Sequence, residues 1–354
     1  MKVVVGLSGG VDSSVTAQLL VEAGHEVLGI YMRNWSSQDE NCPTTQDSLD
    51  AMKVAQKIGI PFEIVDFSQR YWDDVFAYFL SENKAGRTPN PDILCNKHIK
   101  FRAFLDYALE QGAEALATGH YARKKINTDT GLAELALPVD ENKDQTYFLH
   151  QLSQEQLVKA MFPLADYTKA EVRKIAEKNG FITANKKDST GICFIGERHY
   201  ASFLQKYMKK EPGEILDFET NKKVAQHQGL SFYTIGQSKG VGIGGQREFP
   251  EGKWYVHSKD LERNILYVTQ DENLLMGSEL TAHNLNWIAG KLPAKEFKAQ
   301  AKIRYRDEGA NCTVTVVGSD TIKVIFDEPA RAITSGQSVV LYLDDVCLGG
   351  GEIV

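Results

Sequence analysis

Residues Leu7-Ser8-Gly9-Gly10-Val11-Asp12-Ser13-Ser14 decide how the chain starts to fold. They separate a β-branched run, Lys2–Leu7, from a helical pattern over Asp12–Ala23. In that pattern Val15, Leu19 and Leu20 share one side, and Gly24 supplies a stop. Such a strand–turn–helix junction is where parallel α/β sheets bind nucleotides, at the carboxyl ends of the strands. Gly9 and Gly10 permit backbone angles that expose successive N–H groups. Ser8, Ser13 and Ser14 add hydroxyl donors, and the helix start favours an anion. An ordinary turn would need one glycine, not this cluster. The loop carries no lysine for a γ-phosphate, so it is not the G-x-x-x-x-G-K-S/T loop, nor is it G-x-G-x-x-G.

Working outward, Glu26–Met32 and Phe62–Phe67 read as strands and Asp47–Ile58 as an amphipathic helix. Tyr71–Leu80 and Lys97–Gln111 read as helices, and Ala113–Thr118 as a further strand. This order predicts a Rossmann-like parallel sheet with helices on both faces. Lys124–Leu137 breaks the pattern and reads as an inserted hairpin around Thr128–Gly131. Thr168 with Glu171 forms a capping box ahead of a helix over Lys169–Asn179. After about residue 200, short alternating segments predominate, and small β-barrels are expected. The predicted division is a catalytic α/β domain over 1–200, a small mainly-β central domain over 201–275 and a C-terminal β-barrel over 276–354.

The chain has 354 residues, 42% of them hydrophobic and 25% charged, an ordinary globular composition. No run is long and apolar enough to span a membrane. The five cysteines, Cys42, Cys95, Cys193, Cys312 and Cys347, contain no C-x-x-C pair, which leaves a zinc or thioredoxin-type site unsupported. With no export signal, reduced thiols in a cytoplasm are expected. The net charge of −7 argues against nucleic acid unless basic residues are gathered locally.

The sequence Ser-Gly-Gly-Val-Asp-Ser, residues 8–13, resembles the PP-loop of the ATP pyrophosphatase family. That resemblance implies ATP bound so that pyrophosphate leaves, with magnesium, while a carbonyl oxygen is adenylated and a nucleophile then displaces AMP. It leaves the acceptor undecided among the family's tRNA thiolases, synthetases and ligases.

The cysteines narrow the acceptor. Cys95 sits in Asn90-Pro91-Asp92-Ile93-Leu94-Cys95-Asn96, expected just before a helix, where a thiol is more acidic. Cys193 lies in a glycine-flanked stretch, Asp188–Gly196. Two thiols beside an adenylating loop suggest sulfur transfer, one carrying a persulfide and the other resolving it by thiol–disulfide exchange. Cys312 and Cys347 read as structural, and Cys42 is unassigned. Asp92 is a candidate general base or a helix-capping carboxylate.

Nearly the whole chain then resembles the bacterial tRNA 2-thiouridylases of that family. The resemblance rests on GLSGGVDSS, TPNPDILCN, ATGHYAR, KDQTYFL, DSTGICFIGER and GLSFYTIGQSKGVGIGG. It implies that Gly6, Leu7, Ser8, Gly9, Gly10, Val11, Asp12 and Ser13 cradle ATP, with Met32 and Gly119 beside its adenosine. It implies a persulfide on Cys193, resolved by Cys95. Asn90, Pro91 and Asp92 would meet a flipped target base. His120, Lys143, Asp144, Gln145, Arg304, Tyr305 and Gln337 would contact tRNA. The implied substrate is the wobble uridine of tRNAs for Lys, Glu and Gln. A cysteine desulfurase or a relay carrier would donate the sulfur.

Local charge fits an RNA partner better than the total does. Lys84–Arg102 sums to +4, Lys291–Arg306 to +5 and Lys169–Asp188 to +3. In Arg304-Tyr305 a guanidinium stands beside a ring able to stack on a base.

Overall fold

The computed structural model describes residues 1–35, 43–188, 203–244 and 249–354. Five parallel strands form the first sheet: β1 (Lys2–Gly6), β2 (Glu26–Arg33), β3 (Phe62–Asp66), β4 (Ala115–Ala117) and, further along the chain, β7 (Ala160–Met161). Their spatial order is β3-β2-β1-β4-β7. The chain therefore reverses direction across the sheet between β1 and β4, which is the crevice that α/β folds use for ligands. Both faces of β1 are covered. Val4 packs with Ile30 and Phe104 on one side, and Val3 and Val5 pack with Leu20 and Ala51 on the other. All three valines are buried, as the continuous β-branched run requires of a central parallel strand. Helices α1 (Val11–Glu22) and α2 (Pro43–Ile58) follow β1 and β2.

Strands β8 (Gly213–Asp217), β9 (Lys223–His227), β10 (Tyr255–Asp260) and β11 (Ile265–Thr269) make a separate four-stranded sheet. The C-terminal strands are β12 (Met276–Trp287), β13 (Glu296–Lys302), β14 (Ala310–Gly318), β15 (Thr321–Arg331), β16 (Ser338–Leu343) and β17 (Val346–Ile353). They pair in the order β12-β15-β14-β13-β16-β17, and β17 pairs back onto β12. That closes a six-stranded antiparallel barrel and removes its edges. The α/β class, the mainly-β middle and the C-terminal barrel expected from sequence are all present.

The inserted hairpin has a definite place. The hairpin β5 (Arg123–Ile126) and β6 (Ala133–Ala136) does not stay with the parallel sheet. It joins the barrel sheet, with Val346 opposite Ala136 and Cys347 opposite Leu135. The glycine-rich segment Val346–Ile353 is a full strand. A Cβ on Gly349 would lie 2.0 Å from the Asn286 carbonyl oxygen, and one on Gly350 2.0 Å from that of Val339. Neighbouring backbones press so closely there that only glycine fits.

Candidate active site

The phosphate loop is held by its own serines. The Ser8 N–H donates to Ser13 Oγ at 3.1 Å, and the Ser13 and Ser14 hydroxyls donate to the Gly10 carbonyl at 3.1 and 2.8 Å. Gly9 has φ +75°, and a Cβ there would stand 2.2 Å from the Asp47 carbonyl oxygen. The glycine is thus needed both for its backbone angle and for the approach of α2. Gly10 caps α1 with no side-chain hydrogen bond to the first-turn N–H groups, which suits an incoming anion.

The other residues expected around ATP converge on this loop. A Cβ on Gly119 would meet Ser13 N at 2.9 Å and Asp12 Cβ at 3.2 Å, so the end of β4 abuts the start of α1. Met32 Cε lies 3.9 Å from the place a Gly6 Cβ would occupy. Met32 and Gly119 are therefore direct neighbours of the Gly6–Ser13 loop.

The loop lacks a lysine of its own, and the fold brings two from far along the chain. Lys169 Nζ donates to both Asp12 carboxylate oxygens at 2.7 Å and pairs with Asp188 at 2.8 Å. Lys186 Nζ donates to the Gly9 carbonyl at 2.9 Å and to Asp47 and Asp50 at 2.7 Å each. Partial burial opposes the Lys186 charge, but the two aspartates outweigh it and raise the ammonium above its ordinary value. Lys143 and Arg173 also bind Asp188, each at 2.8 Å. Burial would raise the Asp188 carboxyl, yet the hydrogen bonds from Lys143 and Lys169 prevail and hold it at about 2. The Tyr121 hydroxyl donates to Asp12 at 3.0 Å, and burial with that carboxylate drives its pKa upward. No local pattern in the sequence marks Lys169 or Lys186, because their contacts to Gly9, Asp12, Asp47 and Asp50 span more than 130 positions.

Cys95 is completely buried, among Ile93, Ile99, Phe101 and Phe104. Its expected place just before a helix is corrected. Asn90 caps a helix that begins at Pro91, accepting from the N–H groups of Asp92 and Ile93 at 3.1 and 3.4 Å. Proline at the first helical position is pre-set for a start there. Cys95 thus sits one turn inside, at the first residue of a π-helical segment, Cys95–Ala103. Such segments are frequent at functional sites. Asp92 occupies the first turn, beside the half-buried Asn90 and the buried Pro91. Cys193 and Cys42 lie outside the described residues, as does the expected boundary near 200.

The residues expected to meet tRNA lie around this helix, but several face inward. His120 is buried, with Nδ1 2.8 Å from Thr118 Oγ1 and Nε2 3.4 Å from Lys100 Nζ. Burial and the Lys100 charge push its pKa well down, so the ring is neutral. An imidazole in this place is a packing group between Phe101 and Phe162 rather than an exposed RNA contact. Asp144 is also buried. It caps Thr146 and binds Lys302 at 3.1 Å. Gln145 Oε1 accepts the Tyr121 N–H at 3.0 Å. The Arg304 guanidinium is turned onto the Ala332 carbonyl. Tyr305 packs its ring 4.4 Å from Phe148, whose carbonyl accepts from Asn96. Gln337 Nε2 donates to the Thr88 carbonyl at 2.6 Å, two residues before Asn90. The barrel is thereby tied to the segment that leads into the Pro91 helix. Of the basic run 291–306, Lys302 and Arg304 serve the interior, while Lys291, Lys295, Lys298 and Arg306 stay exposed.

Comparison with known proteins agrees along the whole chain. Three family models match: a tRNA methyl transferase HUP domain over 1–197, a tRNA methyl transferase PRC-barrel domain over 201–270 and an aminomethyltransferase beta-barrel domain over 277–353. The tRNA-specific 2-thiouridylase MnmA of Francisella tularensis subsp. holarctica is 52% identical over 357 residues, covering 100% of this chain and 99% of the relative. That of subsp. novicida matches to the same extent. The chain belongs to the tRNA-specific 2-thiouridylase family. Among solved structures, the U34-tRNA thiolase NcsA of Methanococcus maripaludis is 23% identical, covers 55% of this chain and 60% of its own, and has a TM-score of 0.37. Within the 2-thiouridylase family, this chain's phosphate loop and buried Cys95 are the features with obvious chemistry, and the Lys169–Asp188 network is what joins the loop to the stretch leading towards Cys193.

Proposed function

We propose that the protein thiolates C2 of the wobble uridine, position 34, in tRNAs for Lys, Glu and Gln, using ATP. Its full-length relation to 2-thiouridylases carries this reading. The phosphate loop at the sheet crevice supports the use of ATP.

The chemistry runs in three displacements. The uridine C2 oxygen attacks the α-phosphate of ATP, and pyrophosphate leaves. The terminal sulfur of a Cys193 persulfide attacks C2, and AMP carries away the oxygen. The Cys95 thiolate then attacks Cys193 Sγ, which breaks the sulfur–sulfur bond and leaves 2-thiouridine on the tRNA. Cys95 and Cys193 end as a disulfide, which a thiol reductant must reopen. A sulfur-donor protein, either a cysteine desulfurase or a relay carrier, restores the persulfide.

In this scheme Gly6 to Ser13 bind the phosphates, Met32 and Gly119 flank the adenosine, and Asn90, Pro91 and Asp92 hold the flipped base. Asp92 is the nearest carboxylate in sequence to Cys95 and would take its proton. Lys143, Gln145, Tyr305 and Gln337 border the tRNA. Residues 1–200, 201–275 and 276–354 act as catalytic, central and tRNA-contacting units, in the cytoplasm. Among the described residues no three His, Cys, Asp or Glu side chains gather as a metal cage. Asp12 is engaged by Lys169 and Tyr121. The residues described therefore do not make a magnesium site by themselves, and no step is assigned to the ion.

The deciding assay combines the full chain with tRNA, ATP and a sulfide or persulfide donor, and weighs the digested nucleosides. One sulfur gained at uridine 34, dependent on ATP, is expected. tRNA that gains none under saturating donor would refute the reading.

A further inference from the structure

Among the described residues, three buried side-chain polar atoms have no hydrogen-bond partner: Nδ2 and Oδ1 of Asn34, and Oδ1 of Asn96. Their locations are informative. Asn96 follows Cys95, and Asn34 stands two residues after Met32, where β2 has just ended. Asn34 is 0% exposed. A carboxamide withdrawn from water with neither its donor nor its acceptor engaged is costly, and natural interiors rarely keep one without a use for it.

Position suggests that use. The last β2 residue, Arg33, pairs with Asp66, and its carbonyl accepts the Phe67 N–H at 2.8 Å. Asn34 is the first residue past that pairing, at the carboxyl end of the strand. Ile30 and Met32 belong to the core that holds Val4, Cys95 and Phe104, and Trp35 joins the same core, so Asn34 is enclosed between two of its members at the strand's end. The phosphate loop runs alongside, with the Leu7 N–H donating to the Ile30 carbonyl at 2.8 Å. Four residues of extended chain, about 13 Å, separate Ile30 from Asn34. The amide is therefore displaced from the phosphate loop towards the β2 side, where the base of a nucleotide held on that loop would lie.

We propose that the Asn34 carboxamide reads the adenine of bound ATP. Oδ1 accepts from the N6 amine and Nδ2 donates to the ring nitrogen beside it, the pairing that amide side chains make with adenine. The proposal rests on the ATP-dependent reading given above. Because the amide is enclosed in this structure, the base takes the place of groups that now cover it. The exchange supplies two hydrogen bonds that the free protein lacks. A purely structural side chain at this place would serve better as leucine, which fills similar volume without unpaired atoms.

The test uses the full chain and equilibrium binding of two probes: ATP, and the analogue lacking the 6-amino group, purine riboside 5′-triphosphate. The natural protein should prefer ATP by about 10- to 100-fold. Asn34→Leu should bind both probes equally, no more tightly than the natural protein binds the analogue, with a melting temperature equal or higher. Equal binding of the two probes by the natural protein overturns the proposal without any variant. So does an Asn34→Leu protein that keeps the preference. An Asn34→Leu protein with unchanged ATP binding but lost thiolation also overturns it, and assigns the amide to the target uridine instead. A natural protein that binds neither probe overturns the ATP-dependent reading as well.

Discussion

Lys169 donates to both carboxylate oxygens of Asp12, at 2.7 Å each. This bridge ties the first turn of α1 to the start of the helix Lys169–Lys178, 157 positions away, and the same ammonium also binds Asp188. The phosphate loop and the approach to Cys193 thus share one charged group. Lys169→Met should raise the ATP KM by about tenfold, the order expected when a charge-assisted contact is lost. Pyrophosphate release measured against ATP concentration checks this. An unchanged KM would show that the bridge has no part in holding nucleotide.

Asp188 gives a pH prediction with a definite sign. Its folded pKa, about 2, lies below the ordinary 3.8. The stability it contributes is therefore present above pH ~4 and lost as pH falls towards 2. The carboxylate is 34% exposed, so after solvent screening the contribution is about 1 kcal/mol. Denaturant unfolding at pH 7 should find Asp188→Asn less stable by about that amount. The difference from the natural protein should vanish near pH 2.

Gly9 offers a steric test. Gly9→Ala would place a methyl 2.2 Å from the Asp47 carbonyl oxygen at φ +75°. Both the angle and the clash oppose it, at about 1–3 kcal/mol for the backbone angle alone. The loop must then move off α2, and ATP binding by calorimetry should weaken at least tenfold. The barrel should be untouched, since its strands make no use of this loop.

The phosphate loop was legible because its parts are contiguous: strand, glycines, serines and helix follow within a dozen residues. The parallel sheet and the barrel were legible for the same reason, through local alternation. What stayed hidden depends on distance in sequence. Lys186 means nothing until the fold carries it to Gly9, and the hairpin of Arg123–Ala136 looks like an insertion until Leu135 meets Cys347. Glycine usually breaks strands, yet at Gly349–Gly351 barrel closure requires it. The resemblance offered His120 as a tRNA contact, and only packing shows it enclosed by Phe101 and Phe162.

Lys302 and Asp144 form a pair with side chains only 16% and 8% exposed, joining the barrel to the 141–149 stretch. Lys302→Met leaves a buried carboxylate without its counter-ion and should cost about 3–5 kcal/mol. Lys302→Met with Asp144→Asn should recover much of that loss. Urea unfolding of both variants measures the coupling. Equal stability of the single and double variants would mean that the pair does not bind the two parts together.

Exposure also sorts the basic residues as RNA ligands. Arg102 and Arg306 are exposed, whereas Lys302 and Arg304 spend their charges on Asp144 and the Ala332 carbonyl. Each phosphate contact contributes roughly one unit to the slope of log affinity against log salt. Arg102→Ala and Arg306→Ala should therefore each lower that slope by about 1 in tRNA titrations. Arg304→Ala should leave the slope alone and instead lower the melting temperature, because it frees buried carbonyls. If Arg304→Ala changed the slope while Arg306→Ala did not, the inward guanidinium would be the one that turns out to meet the RNA. The acidic total of −7 would then describe a surface on which even the exposed cations avoid tRNA.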